Sequence, residues 1–292
     1  MELEIGLNLP VANPGLTPAL LRELALRAEE AGFAELYLGE HVVLFDRPTE
    51  RYPGSEDGEA FFDATLPIPD PLVAHAFVAA ATSTIRLATG VLLLPQRNPV
   101  YTAKHVATLD WLSGGRLDLG IGVGWSLQEI AACGVPTPER GARCDEYVAV
   151  MKALWSQDLS SHAGPFHELP ACRQYPKPVQ KPHPPLWFGG WTDAALDRAA
   201  RLGDGWYGFD QSAEQVRDCA RRLEKRCAER GRSFAGLTIA CGAYGRMPRD
   251  RSDLAPYAAA GVRQFAVSIT TLDPGAMIDE LKSLARAFLG RS

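Results

Sequence analysis

Leu112-Ser113-Gly114-Gly115-Arg116-Leu117-Asp118-Leu119-Gly120-Ile121-Gly122-Val123-Gly124-Trp125 is a turn feeding an apolar strand that ends in three alternating glycines and a tryptophan. Glycine weakens a strand interior, so several of them where a strand runs out point to another group approaching the backbone closely. A flat or phosphate-bearing cofactor is the expected group. On both sides of this run, short aliphatic or β-branched stretches alternate with alanine-rich, charge-patterned helical segments, the signature of βα units and a parallel sheet. Candidate strands cover residues 3–9, 35–39, 85–94, 116–120, 186–190, 205–209, 237–241 and 264–269. The quoted run supplies the fourth, and eight such units close a barrel.

Helices are expected near residues 17–32, 71–82, 102–112, 140–155, 193–202, 213–230, 252–260 and 274–289. The first is framed by Thr17-Pro18 at its start and Gly32 at its end, with Leu20, Leu21, Leu24, Ala25 and Ala28 on one face. Two connections are long. Residues 42–70, rich in Pro, Gly and acidic groups, follow the second strand, so they belong to the face where barrel active sites are built and form a candidate lid. Residues 157–185 follow the fourth helix, which puts His162, His167 and His183 at the opposite face. The expected fold is α/β: a single (β/α)8 TIM-barrel domain over residues 1–292, with insertions after strand 2 and before strand 5.

Composition narrows the class. Of 292 residues, 46% are hydrophobic and 22% charged, enough apolar material for a sizeable core. The net charge of -5 argues against nucleic acid or an anionic membrane as the main partner. Six cysteines, at 133, 144, 172, 219, 227 and 241, show no CxxC or Cys/His ligand spacing, so reduced thiols in a cytoplasmic protein are expected, with no metal. The first residues lack a basic stretch followed by an apolar one, and the apolar stretch after Pro71 is broken by His75 and Arg86. Neither a secretory signal nor a membrane span is expected.

In a barrel the chemistry sits at strand C-termini. His41 follows Leu36-Tyr37-Leu38-Gly39-Glu40 at one such end, and a histidine there can exchange protons near neutral pH. The plain alternative is a histidine held by a backbone carbonyl. Glu40 is placed to orient His41, and Asn8 closes the first strand. Gly189-Gly190-Trp191-Thr192-Asp193 ends a strand and starts a helix, so Thr192 can cap while free N–H groups face an anion. Arg97-Asn98-Pro99 is either a ligand contact or a solvated turn. Phe45, Phe61, Phe62, Trp125 and Trp191 are the aromatic candidates around the mouth, which suits an apolar or planar small-molecule substrate.

Gly6-Leu7-Asn8-Leu9-Pro10, Glu40-His41, Leu87-Ala88-Thr89-Gly90-Val91, Arg97-Asn98-Pro99, the quoted run, Arg140-Gly141-Ala142-Arg143, Pro176-Lys177-Pro178-Val179-Gln180 and Pro185-Leu186-Trp187-Phe188-Gly189-Gly190 occur in one order. Together they resemble the bacterial luciferase-like monooxygenase superfamily, and within it the branch assigned to the deazaflavin coenzyme F420. The likeness runs to Trp206; beyond Phe209 only the strand–helix alternation supports it. It implies a TIM barrel with a flavin or deazaflavin at its C-terminal mouth. Asn8, Glu40 and His41 would then be the catalytic group, with His41 nearest the substrate. Thr89, Gly90 and Val91 would form the strand-three bulge under the ring, a place where the family often has a cis peptide. Asn98, Gly122, Val123, Gly124 and Trp125 would line the cofactor, and Gly189, Gly190, Trp191 and Thr192 would hold its phosphate end. Some deazaflavin enzymes carry an acidic glutamate where this chain has Trp125, so a sugar-phosphate dehydrogenase mechanism does not transfer. The implied activity is F420-dependent hydride transfer to or from a small organic substrate. The alternatives are an FMN-dependent monooxygenase and a non-catalytic flavin-binding protein. Homodimers are common in the family.

Overall fold

A computed structural model describes residues 3–52, 58 and 63–290 of the chain. Eight parallel strands close into a barrel: β1 (Glu4–Asn8), β2 (Glu35–Leu38), β3 (Arg86–Thr89), β5 (Leu117–Gly122), β8 (Leu186–Gly189), β9 (Gly205–Phe209), β10 (Thr238–Gly242) and β11 (Gln264–Ser268). β1 pairs with β2 on one side and β11 on the other, and β3 pairs with β5, so no edge is left among them. The helices α1 (Pro18–Ala31), α2 (Pro71–Ala79), α3 (Pro99–Leu112), α5 (Arg140–Ser156), α6 (Asp193–Leu202), α7 (Ala213–Glu229), α8 (Ala255–Ala259) and α9 (Met277–Leu289) alternate with them. No described helix is long and apolar enough to cross a membrane.

Three features depart from the sequence expectation. The predicted third strand, 85–94, is two pieces, β3 and β4 (Leu92–Leu93), because the chain bulges at Gly90 and Val91, whose peptide bond is cis. A short helix, α4 (Leu127–Ala132), follows Trp125 and was not expected. The 157–185 connection carries an antiparallel hairpin, β6 (Ser160–Ala163) with β7 (Glu168–Cys172), tied to α5 where Glu146 accepts the backbone N–H of His167 at 2.8 Å. Their sequences, SSHA and ELPAC, lack the alternation of a half-buried strand and so gave no signal.

Two cores result from the alternation of side chains along the strands. One lies between strands and helices, and the other fills the barrel with Tyr37, Ala88, Trp187, Tyr207, Ala240 and Ala266. Below these, Arg86 donates to both carboxylate oxygens of Asp118 at 2.5 Å, beside the fully buried Glu35. Burial first, and then the charge of Asp118, pushes the Glu35 carboxyl well above its ordinary range. The turn at the head of the quoted run is a structural device. Arg116 donates to the carbonyls of Ala79, Thr82, Ile85 and Ser113 and to the Thr82 hydroxyl, at 2.7–3.1 Å, closing the end of α2 onto the sheet.

Candidate active site

The strand C-termini open into a cavity of about 550 Å³ with mainly apolar walls. Of the residues singled out from sequence, Asn8, Glu40, His41, Gly90, Val91, Gly122, Val123, Gly124, Trp125, Gly189, Gly190, Trp191 and Thr192 line it. Two stand apart. Thr89 is fully buried and its hydroxyl donates to Gly120 O at 2.6 Å, while the Asn98 side chain caps α3 by accepting from the N–H groups of Val100 and Tyr101. Of the lid candidates, Phe45 is not among the lining residues, and Phe61 and Phe62 lie outside the described residues. Tyr52 and Ile68 of the same insertion do line the cavity.

Three of the glycines have a close neighbour within the protein itself. A Cβ on Gly120 would lie 1.9 Å from Thr89 O, one on Gly122 2.5 Å from Val91 Cγ2, and one on Gly189 2.9 Å from Val91 Cγ1. The missing side chains make room for the bulge of β3, which is pressed into β5 and β8. The bulge presents Val91 to the cavity beside Gly122 and Gly189, which line it as well. Gly124 and Gly190 are needed for conformation, with φ of 81° and 104°.

The carboxylate beside His41 is Glu129 of α4, not Glu40. His41 Nδ1 lies 2.9 Å from Glu129 Oε2, and the two side chains are 14% and 1% exposed. Glu129 Oε1 accepts the Val42 N–H at 2.5 Å, which pins the start of the insertion. Trp125 meets the His41 ring edge-on at 5.7 Å, and Tyr52 meets Trp125 edge-on at 5.2 Å. Glu40 instead accepts from Arg97 and, at 2.5 Å, from the Leu93 N–H. Burial raises its pKa, and Arg97 opposes that rise. Arg97 also binds Asp70, the N-cap of α2, so Glu40 belongs to a brace at the return end of the insertion. Asn8 donates from Nδ2 to Ser268 Oγ at 2.9 Å, and the Ser268 hydroxyl donates in turn to Ala243 O at 2.6 Å, which leaves Asn8 Oδ1 as the acceptor for a ligand.

Across the cavity, Thr192 caps α6 by accepting the Ala195 N–H at 3.3 Å, beside Gly189 and Gly190. Arg140, the first residue of α5, reaches the same cavity. One of its terminal nitrogens donates to Thr137 O at 2.6 Å, whereas its Nε is buried with no hydrogen-bond partner among the described residues. A buried guanidinium N–H without an acceptor suits an anionic ligand.

Glu129 and Tyr52 were absent from the sequence reading, and Arg140 entered it only as part of a motif, with no role of its own. Ser126-Leu127-Gln128-Glu129 reads as a capping pattern, and Ser126 does accept the Glu129 N–H at 3.3 Å. The Glu129 side chain, however, turns outward to His41 and Val42, a contact between residues 88 positions apart that no local rule could give. Arg140 lay within a recognised motif but on a helix start, where an arginine reads as solvent-facing.

A family model described as luciferase-like monooxygenase matches residues 4–282. An uncharacterized protein of Mycobacterium tuberculosis (strain ATCC 25618 / H37Rv) is 37% identical over 205 residues, covering 70% of this chain and 71% of that protein. The FMNH(2)-dependent dimethylsulfone monooxygenase of Pseudomonas putida is 30% identical over 213 residues, 72% of this chain and 54% of that enzyme. Among solved structures, the coenzyme F420 dependent tetrahydromethanopterin reductase from Methanopyrus kandleri superposes with a TM-score of 0.77 at 16% identity, covering 99% of each chain.

Proposed function

The chain belongs to the luciferase-like monooxygenase family, and we propose that within it this protein is an oxidoreductase that binds a flavin-type cofactor, coenzyme F420 in the first reading, across the barrel mouth. One observation carries the proposal: a single apolar cavity joins a carboxylate-backed imidazole on one side to an anion-ready corner on the other. The residues fit such a group. Arg140 Nε supplies a buried donor without an acceptor, and the glycine-lined start of α6 adds N–H groups and a positive helix end for a phosphate. Val91 offers an apolar surface for a planar ring, and Asn8 Oδ1 an acceptor at its edge.

When bound, the cofactor supplies hydride chemistry. The chain's own residues supply the rest. Val91, Trp125 and Tyr52 confine an apolar substrate and exclude water, and His41 gives or takes the accompanying proton. Glu40, occupied by Arg97 and Leu93, keeps the mouth in shape.

The second reading is an FMN-dependent monooxygenase, favoured by the Pseudomonas putida relative, whose name records FMNH(2) dependence. Both cofactors carry the same ribityl phosphate, so the anion corner serves either. Fluorescence titration with F420 and with FMN separates them. The first reading expects F420 to bind at micromolar concentration or tighter and FMN more weakly. Tight binding of FMN alone, with substrate-dependent oxygen uptake in the presence of FMNH2, replaces it with the second, and binding of neither cofactor overturns both.

A further inference from the structure

Glu129 spends both carboxylate oxygens as acceptors at the barrel mouth. Oε1 takes the N–H groups of Val42 and Val43, at 2.5 and 3.4 Å, and Oε2 faces His41 Nδ1 at 2.9 Å. Its side chain is 1% exposed, so water does not compete for these positions. We propose that Glu129 is a positioning residue that holds His41 in the tautomer protonated at Nδ1, making Nε2 the one atom through which the imidazole takes up and returns a proton. The inference rests on the reading of His41 as the proton carrier.

An ionised carboxylate only accepts hydrogen bonds, so the contact at Nδ1 requires an N–H there. Neutral imidazole has one N–H, and the lone pair therefore lies on Nε2. When a substrate X–H gives its proton to Nε2, the bonding pair stays on X, an N–H bond forms, and the ring becomes a cation. That charge develops beside a buried carboxylate already in place, where electrostatic stabilisation costs no reorganisation. Glu40, the carboxylate next to His41 in sequence, is committed to Arg97 and the Leu93 N–H. The same contact explains why α4 stands at this point of the chain: it delivers one carboxylate both to the ring and to the two backbone N–H groups that follow it.

Glu129→Gln tests the proposal sharply, because a carboxamide has one accepting end and one donating end. Backbone N–H groups of Val42 and Val43 can only donate, so the amide oxygen must stay with them and the NH2 must turn to His41 Nδ1. The ring is then forced to carry its proton on Nε2, and its base is lost. Long-range proton–nitrogen NMR of histidine-labelled protein, with no cofactor added, reads this directly. The wild type is expected to show His41 protonated at Nδ1, Glu129→Asp to keep that tautomer, and Glu129→Gln to exchange the two ring-nitrogen signals. Wild-type His41 protonated at Nε2, or a Glu129→Gln spectrum identical to wild type, overturns the proposal. A merely structural role for Glu129 would lower melting temperature without exchanging the nitrogens. Because the spectra need no cofactor, failure of the cofactor reading and failure of this one are told apart.

Discussion

Gly120 shows why one residue type in the same run has several meanings. Its Cβ would fall 1.9 Å from the carbonyl oxygen of Thr89, a backbone atom that cannot step aside, whereas a Cβ on Gly114 would meet nothing within 4 Å and is opposed only by a φ of 69°. Gly120→Ala is therefore expected to cost about 3 kcal/mol or more through forced movement of the bulge. Gly114→Ala should cost only about 1 kcal/mol, the strain of a left-handed alanine. Urea unfolding of the two variants checks the contrast, and equal losses would mean that the bulge is not pressed into β5. The run was legible as a place of close approach. What approaches Gly120 and Gly122 is the protein's own third strand, which lies about thirty residues earlier and is invisible to a local reading.

At the scale of elements, α2 is joined to β3 by His75. Its Nε2 donates to Ala88 O at 2.9 Å inside the core, where the ring is completely buried. Burial pushes the imidazole down to about 4 from an ordinary 6.5, the donated bond opposing the shift. The folded state thus binds this proton less readily than the unfolded chain. Stability is full above pH about 6.5 and falls as pH drops toward about 4, by a total of about 3 kcal/mol. Replacing His75 by Gln, which keeps a side-chain N–H, should remove that part of the slope in urea unfolding at pH 7 and pH 5; an unchanged slope would assign it to other groups. Sequence alone gave all eight barrel strands and their flanking helices, because period and start–stop signals are local and strong there. It missed α4, six residues long, and with it Glu129, since so short a helix leaves almost no periodic trace. Asn98 was read as a cofactor contact or part of a solvated turn, with the helix starting at residue 102; it is instead the N-cap of α3, and its carboxamide is consumed there.

Over the whole molecule, the barrel holds two half-sites at fixed separation: His41 and Glu129 between β2 and α4, Arg140 and Thr192 where α5 and α6 begin. A ligand that bridges them binds the folded state alone and stabilises it, by about 2.7 kcal/mol at a hundredfold excess over Kd. For a chain of this size that corresponds to a rise in melting temperature of about 5 °C or more. Arg140→Ala should abolish most of the rise and weaken binding about 10- to 100-fold, the loss of one charge-assisted hydrogen bond; a full rise in the variant would remove Arg140 from the site. The central claim is that one cofactor spans both half-sites, and a crystal structure with bound F420 tests it most directly. The account predicts the phosphate on Arg140 Nε and the start of α6, with the ring against Val91 and beside His41. A phosphate held elsewhere, or a ring seated away from Val91 and His41, would contradict it.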